Sequence, residues 1–130
     1  MSKEEAMSAL AQSNQTPDNA GVLMKAFSNA CSELGVSKTQ AAKIIGVNRS
    51  TLSRKEASGF APDSKQGELS LHFIRLYRSL FAISGGDKSF MQHWFSTCNT
   101  ALAGVPAEKV QSVLGLIQTN EYLDTMRGKI

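Results

Sequence analysis

The run SKTQAAKIIGVNRSTLSRKEA, residues 37–57, constrains the fold of this chain more than any other feature. Ser37 and Gln40 have the spacing of a capping box, which predicts that a short helix begins here. Gly46 permits a tight turn, and Asn48 is a suitable N-cap for a second short helix. Two short helices joined by such a turn form a helix-turn-helix.

Apolar residues of the same run predict how the two short helices pack. Ala42 is small where the helices approach each other, and Ile45, Val47 and Leu52 are apolar where the pair must rest on an earlier helix. An earlier amphipathic helix is predicted just upstream, because apolar residues recur there at spacings of four, three and four: Leu23, Phe27, Ala30 and Leu34.

The second short helix is predicted to contact DNA. If Leu52 points inward, Ser50 and Arg54 lie on the opposite face, where they would meet the major groove. Five basic side chains and one acidic one give residues 37–57 a charge of +4, against +3 for the whole chain. Alternatively, these basic side chains only solvate a helix face. The predicted DNA-binding residues are Gln40, Asn48, Arg49, Ser50, Thr51 and Arg54.

The whole chain is predicted to be all-α, because no segment shows strand alternation with turn signals at hairpin spacing. Its 130 residues suffice for a helix-turn-helix bundle followed by one more small helical domain. The segment GFAPDSKQG is rich in glycine, proline and polar residues and is the predicted linker. The predicted division is a flexible arm at 1–15, the helix-turn-helix domain at 16–58, the linker at 59–67 and the second domain at 68–130.

Caps and glycines predict the helix ends. The first helix is expected to start at Thr16-Pro17 and stop at Gly35, and a later one to run from Leu69 to Ser84 before Gly85-Gly86. Asp87 and Ser112 are predicted to cap two further helices, with Pro106 opening a short turn between them.

The helix predicted from Leu69 to Ser84 has two apolar stripes and needs cover on two sides. One side is expected to meet the aromatic group around Trp94 and the last helix. The other side is expected to be covered by a second copy of the chain or by a partner protein. Alternatively, all apolar residues of this helix are covered within one bundle. The stripes are Leu69, Phe73, Leu76, Leu80 and Ile83, and Ile74, Tyr77 and Phe81.

The two cysteines point to a reducing compartment. Cys31 and Cys98 form no CxxC pair, and the sequence shows neither a secretory signal nor a long apolar span. Reduced thiols in a cytoplasmic protein without membrane contact are therefore expected.

Both halves of the chain resemble parts of one known family. The spacing of Gln40, Ala42, Gly46, Val47 and Leu52 resembles the Xre family of phage-repressor-like helix-turn-helix domains. The segments PDSKQGEL, FIRLYRSL, GGD, ALAGVP and YLDTMRGKI, within residues 62–130, are similar to the toxin-binding domain of Xre/MbcA/ParS antitoxins. That order of domains is also the family's own. The chain departs from the family's pattern at Val113 and Leu114, where proline and acidic residues are more usual.

The resemblance implies a function in a type II toxin-antitoxin pair. Family members typically bind RES-domain toxins, which deplete NAD, and the antitoxin's C-terminal end obstructs the toxin's active-site cleft. From the residues themselves, the chain after Gly128 is a short basic tail with a free carboxylate that could enter a cleft built for an anionic dinucleotide. Alternatively, this tail is only a frayed terminus. The toxin-binding residues implied by the resemblance are Tyr122, Met126, Arg127, Gly128, Lys129 and Ile130.

Enzymatic activity is not expected. His72 and His93 lie far apart in sequence, and no HExxH motif or glycine-rich phosphate loop is present. No cofactor, metal or small-molecule substrate is therefore predicted. The expected partners are the toxin, operator DNA and a second copy of the chain.

Two alternatives to the antitoxin interpretation stay open. One is a stand-alone Xre-family repressor whose C-terminal half dimerises it, so that two helix-turn-helices reach half-sites about 34 Å apart. The other is an interaction module whose helix-turn-helix does not bind DNA.

Overall fold

The computed structural model describes residues 17–128 of the chain. This part is helical, and its one strand-like feature is an isolated antiparallel bridge between Asn99 and Gly104, so the all-α prediction is confirmed. The predicted arm at 1–15 and the Thr16 cap lie outside the described residues. The helices are α1 Pro17–Leu34, α2 Lys38–Ile44, α3 Arg49–Lys55, α4 Lys65–Ser84, α5 Lys88–Ser96, α6 Pro106–Lys109 and α7 Val113–Gly128.

Helix α1 begins and ends as its sequence predicts. Pro17 is its first residue, and Gly35 follows its last with a φ of +73°. The buried face of this helix contains more residues than the predicted stripe. Met24, which lies outside the stripe, is 2% exposed, whereas Leu23, a member of the stripe, is only half-buried. The buried residues of α1 are Ala20, Met24, Phe27, Ala30, Cys31 and Leu34.

Helix α4 begins at Lys65, four residues before the predicted start at Leu69. Ser64 caps it by accepting a hydrogen bond from the Gly67 amide at 3.1 Å. Residues 65–67 of the predicted linker therefore form its first turn. Gly67 is required there because a Cβ would lie 2.8 Å from the Pro62 backbone. The helix ends at Gly85, as predicted, with a φ of +65°.

The core is continuous from α1 through α4 to α5. Phe73 of α4 makes edge-to-face contacts with Phe27 of α1 at 5.6 Å and with Phe95 of α5 at 6.0 Å between ring centroids. One hydrophobic cluster thus includes residues of both predicted domains.

Two helices of the same chain cover the two sides of α4. Helix α1 packs on one side and α7 on the other, so the stripe through Phe73, Leu76 and Leu80 is fully buried. The second stripe is covered only in part, because Phe81 keeps 47% of its surface exposed. One bundle therefore covers most of α4 and leaves two large apolar residues of this helix, Leu71 and Phe81, exposed.

Polar contacts hold α7 parallel to α4, because residues later in α7 contact residues later in α4. Asn120, which is 2% exposed, donates a hydrogen bond to the His72 carbonyl at 3.0 Å. Arg75 of α4 forms an ion pair with Asp124 of α7. As predicted, Ser112 caps α7, accepting from the Gly115 amide at 3.0 Å.

The two cysteines differ in burial. Cys31 is buried against α2, and this burial raises the pKa of its thiol to about 12. Cys98 is exposed, and neither forms a disulfide. None of the helices between residues 17 and 128 combines the length and apolarity needed to cross a bilayer.

Candidate functional sites

The helix-turn-helix is built by local hydrogen bonds that its sequence predicts. The Ser37 amide donates to Gln40 Oε1 at 3.0 Å, and the Gln40 amide donates to Ser37 Oγ at 3.2 Å, completing the capping box. Asn48 caps α3 by accepting from the Thr51 amide at 2.8 Å. Gly46 turns the chain between the helices with a φ of +74°. All these features confirm the predicted motif.

Burial fixes which face of α3 points outward. Leu52 is 5% exposed and packs against the core, whereas Arg49, Ser50 and Arg54 are exposed on the far side. Arg54 donates a hydrogen bond to the Thr51 hydroxyl at 3.3 Å, so its guanidinium lies along the outer face. The arrangement brings two basic and two polar side chains together on one short helix.

Gln40 and Asn48 are placed differently from the other four predicted DNA-binding residues. Their side-chain oxygens already accept hydrogen bonds at the helix starts, which leaves their side-chain NH₂ groups to donate to a ligand. Gln40 and Asn48 therefore stabilise the helix-turn-helix itself, besides any contact they make with DNA.

An ion pair joins the start of α2 to the segment after α3. Lys38 Nζ lies 2.7 Å from Glu56 Oε1, and both side chains are about half exposed. Exposed pairs of this kind contribute about 1 kcal/mol or less. The pair neutralises Lys38, so the unpaired positive charge of the motif is carried by Lys43 and by the residues of α3.

A second surface forms where α7 crosses α5. The Tyr122 ring stacks on Trp94 with centroids 6.4 Å apart and an interplanar angle of 17°. Met126 follows one turn later and is half-buried. Beside them lies an apolar cavity of about 200 Å³, lined by Leu80, Ile83, Phe90, Trp94, Tyr122, Leu123 and Met126.

The end of α7 is tied to the body of the protein by Arg127. Its Nη1 donates to the hydroxyl of Ser79, a fully buried residue of α4, at 3.3 Å. Gly128 is exposed and is the last residue of α7. Lys129 and Ile130, also predicted to bind the toxin, lie outside the described residues.

Two family models match this chain, one for each half. The model for the antitoxin Xre-like helix-turn-helix domain matches residues 13–75, and the model for the antitoxin Xre/MbcA/ParS C-terminal toxin-binding domain matches residues 79–129. The chain belongs to the Xre/MbcA/ParS antitoxin family. A search of curated proteins found no match to this antitoxin.

The two family models meet inside α4 of the antitoxin, between residues 75 and 79. The predicted linker at 59–67 ends in the first turn of that helix, and the predicted domain boundaries stay a prediction. The helix-turn-helix half and the toxin-binding half share α4 as a common element.

Two polar residues of the antitoxin hold α7 in place and were missed by sequence reasoning. Ser79 accepts from Arg127, and Asn120 donates to the His72 carbonyl. Each lies on the apolar face of its helix, with Leu76 three positions before Ser79 and Leu123 three positions after Asn120. A polar residue at such a position indicates a buried polar contact. The sequence does not say with which residue each one pairs.

Proposed function

We propose that this antitoxin neutralises a RES-domain toxin, which consumes NAD, by placing its C-terminal tail in the toxin's active-site cleft. The observation that carries the proposal is the fixed end of α7. Tyr122 is held on Trp94 and Arg127 on Ser79, so the residues that follow Gly128 start from a defined point on the surface. A tail that starts from a fixed point loses less entropy when it enters a cleft.

The charge of this end indicates which groups of the toxin it would meet. Arg127 is exposed and Lys129 follows it closely, while acidic residues are absent from residues 125–130. Groups that bind the phosphates of a dinucleotide are positive or are hydrogen-bond donors, and they would repel cationic side chains. The cationic side chains are therefore expected to pair with acidic side chains of the toxin around the cleft, while the backbone of the tail blocks the cleft sterically.

Truncating the chain after Thr125 is expected to abolish neutralisation and to retain toxin binding. The truncation removes Met126, Arg127 and the proposed tail but leaves the Trp94–Tyr122 stack intact. The measurement is co-expression with the product of the neighbouring gene, with growth and co-purification scored together. The full chain restores growth, and the truncated chain co-purifies without restoring it.

A point substitution separates the tail from the stability of α7. Lys129→Glu reverses the charge of the tail and is expected to weaken neutralisation, whereas Lys109→Glu, on α6, leaves it unchanged. If the truncated chain still restores growth, the tail is not the inhibitor. If the neighbouring product is harmless and does not co-purify, a stand-alone repressor becomes the better account.

We further propose that the antitoxin is cytoplasmic and represses its own operon as a homodimer. The support is the outward face of α3, where Arg49, Ser50 and Arg54 are exposed around a buried Leu52. A dimer would present two such helices to half-sites about 34 Å apart, one turn of DNA. One helix of seven residues reaches too few base edges to specify an operator alone.

Replacing Arg54 with alanine is expected to weaken operator binding about 5- to 150-fold, equivalent to the 1 to 3 kcal/mol of a base-contacting arginine. The measurement is a binding titration on operator DNA at one fixed salt concentration. Arg75→Ala is the matched control, because Arg75 pairs with Asp124 on the far side of the fold. Equal affinities for all three proteins would show that α3 does not contact DNA.

A further inference from the structure

Helices α1, α4 and α7 lie side by side as one layer, with α4 in the middle. All three helices run in the same direction. Phe27 of α1 contacts Phe73 of α4, and Ala20, earlier in α1, lies against Gly59, which comes before α4 begins. Helix α7 is parallel to α4, as their polar contacts show. The starts of the three helices therefore lie at one end of the layer.

Helix α5 packs on one face of this layer, where Phe73 is buried. The opposite face, which we call the outer face, carries the exposed stripe of α4. Leu71, Arg75, Arg78 and Ala82 recur there at spacings of four, three and four, and all four are exposed. Their exposure shows that no helix within residues 17–128 covers the outer face.

Large apolar side chains are concentrated at the end of the layer where the three helices start. Val22 of α1 and Leu71 of α4 keep 66% and 50% of their surface exposed and line one groove of about 300 Å³. Ile117 of α7 lies on the same face, because it comes about two turns before Asp124, which pairs with Arg75. Seven large apolar residues are exposed within residues 17–128, and five of them lie at this end: Val22, Leu71, Val113, Leu114 and Ile117. Such a concentration marks an interaction surface.

The charges of the outer face balance one another. Three basic and three acidic exposed side chains lie on this face or within one turn of its apolar residues: Lys25, Arg75 and Arg78, and Glu68, Glu121 and Asp124. An interface formed by a two-fold axis uses the same surface of both copies, so that surface must be complementary to itself. A face with an apolar part and equal numbers of opposite charges meets this condition.

We propose that the outer face is the interface between two copies of the antitoxin, related by a two-fold axis that runs along α4. This inference rests on the homodimer proposed above and assigns its interface. Such an axis keeps the helices of both copies parallel and places α1 of each copy over α7 of the other. Val22 then meets Leu114 and Ile117 of the second copy, and the two Leu71 side chains meet near the axis. Contact between the two faces removes these apolar side chains from water.

Charge supports this direction of the axis. Arg78 lies on the α1 side of α4, so it faces α7 of the second copy, where Asp124 is exposed. Glu68 comes about two turns before Arg75 and lies on the α7 side, so it faces α1 of the second copy, where Lys25 is exposed. Neither Arg78 nor Glu68 forms an ion pair within residues 17–128. An axis across the middle of α4 would instead place the apolar helix starts over the charged ends of the second copy.

The size of the outer face also suits a second copy. Three helices side by side are about 30 Å wide, and α7, the shortest of them, has 16 residues and is about 24 Å long. The face therefore measures roughly 700 Å². Each partner in an interface of standard size buries about 800 Å².

Sedimentation equilibrium of the full chain without toxin tests the interface. The chain is expected to be a dimer, and Leu71→Glu and Leu114→Glu are each expected to raise its dissociation constant at least about tenfold, because each places a charge in an apolar contact. Both leucines are at least half exposed in the single chain, so circular dichroism is expected to show an unchanged fold. Phe90→Glu is the matched control, because Phe90 is 43% exposed and lies on α5, away from the outer face. It is expected to leave the dissociation constant unchanged.

Cysteine cross-linking tests the direction of the axis. Val22→Cys and Leu114→Cys are combined in one chain in which the exposed Cys98 is replaced by serine. Mild oxidation is expected to link two copies through positions 22 and 114, whereas either cysteine alone gives no linked dimer. A disulfide within one chain is excluded, because α1 and α7 lie on opposite sides of α4, about 16 to 20 Å apart, and a disulfide needs Cα atoms within about 7 Å.

The possible failures are distinguishable. A full chain that stays monomeric at every concentration overturns both this interface and the homodimer. A dimer that Leu71→Glu and Phe90→Glu affect equally, or that is linked by Val22→Cys alone, overturns this interface and leaves the homodimer standing. A dimer that Leu71→Glu leaves intact while co-purification with the toxin is lost also overturns it, in favour of a toxin-binding face.

Discussion

Replacing Phe73 with alanine is expected to lower the free energy of unfolding by about 3 to 5 kcal/mol, the range for truncating a buried aromatic side chain. Phe73 is fully buried, and its ring contacts Phe27 on one side and Phe95 on the other. The substitution removes both contacts and leaves a cavity between α1, α4 and α5. Urea unfolding followed by circular dichroism and by the fluorescence of Trp94 measures the loss.

Phe81→Ala is the matched control for this substitution. Phe81 lies on the same helix but keeps 47% of its surface exposed, so about 1 kcal/mol or less is expected. Because Phe73 belongs to a cluster that spans both halves, the two probes are expected to report one shifted transition. Two separate transitions, of which only one shifts, would contradict a shared core.

Replacing Gly59 with alanine is expected to lower the free energy of unfolding by about 3 kcal/mol or more, from backbone strain and a steric clash together. Gly59 has a φ of +72°, and a Cβ there would lie 2.7 Å from the Ala20 carbonyl carbon. That carbon belongs to the backbone of α1, so relief requires the helix to move. Thermal and urea unfolding of the variant measure the effect.

Gly85→Ala separates the strain from the clash. Gly85 has a similar φ of +65°, but a Cβ there would meet nothing within 4 Å. A loss of about 1 kcal/mol is expected from the strain alone. Equal losses for the two variants would show that Gly59 is not pressed against α1.

Sequence reasoning predicts the helix-turn-helix well because its determinants are local. The capping box, the turn glycine and the Asn48 cap each depend on residues three positions apart or fewer. Each hydrogen bond joins residues close in sequence, so the local sequence is enough to identify the two partners. The inward orientation of Leu52 follows from the same short helix.

The start of α4 was predicted less well because tertiary contacts decide it. The sequence predicts Gly67 in a linker, whereas it lies inside the helix against Ala61 and Pro62. A glycine in a polar segment has the same local signal whether it breaks a helix or lets another backbone approach.

The contacts of the toxin-binding half could not be obtained from spacing. The resemblance implies that Tyr122 binds the toxin, and the aromatic group around Trp94 is expected to cover one side of α4. The structure stacks these two rings on each other. Arg127 pairs with Ser79 across 48 positions of sequence. Helical periodicity identifies which face is buried, but it does not identify which two faces meet.

The shared helix α4 affects whether the DNA-binding half of one such antitoxin can be combined with the toxin-binding half of another. The two family models meet between residues 75 and 79, within an unbroken helix of 20 residues. A chimera that joins the DNA-binding half of one antitoxin to the toxin-binding half of another must therefore keep that helix in phase. It must also preserve the side chains that meet around Phe73 and the hydrogen bond from Gln92 to the Glu33 carbonyl. Recombination at the loop before α4 moves the whole helix with one parent, and each half then inherits a packing surface shaped for another protein.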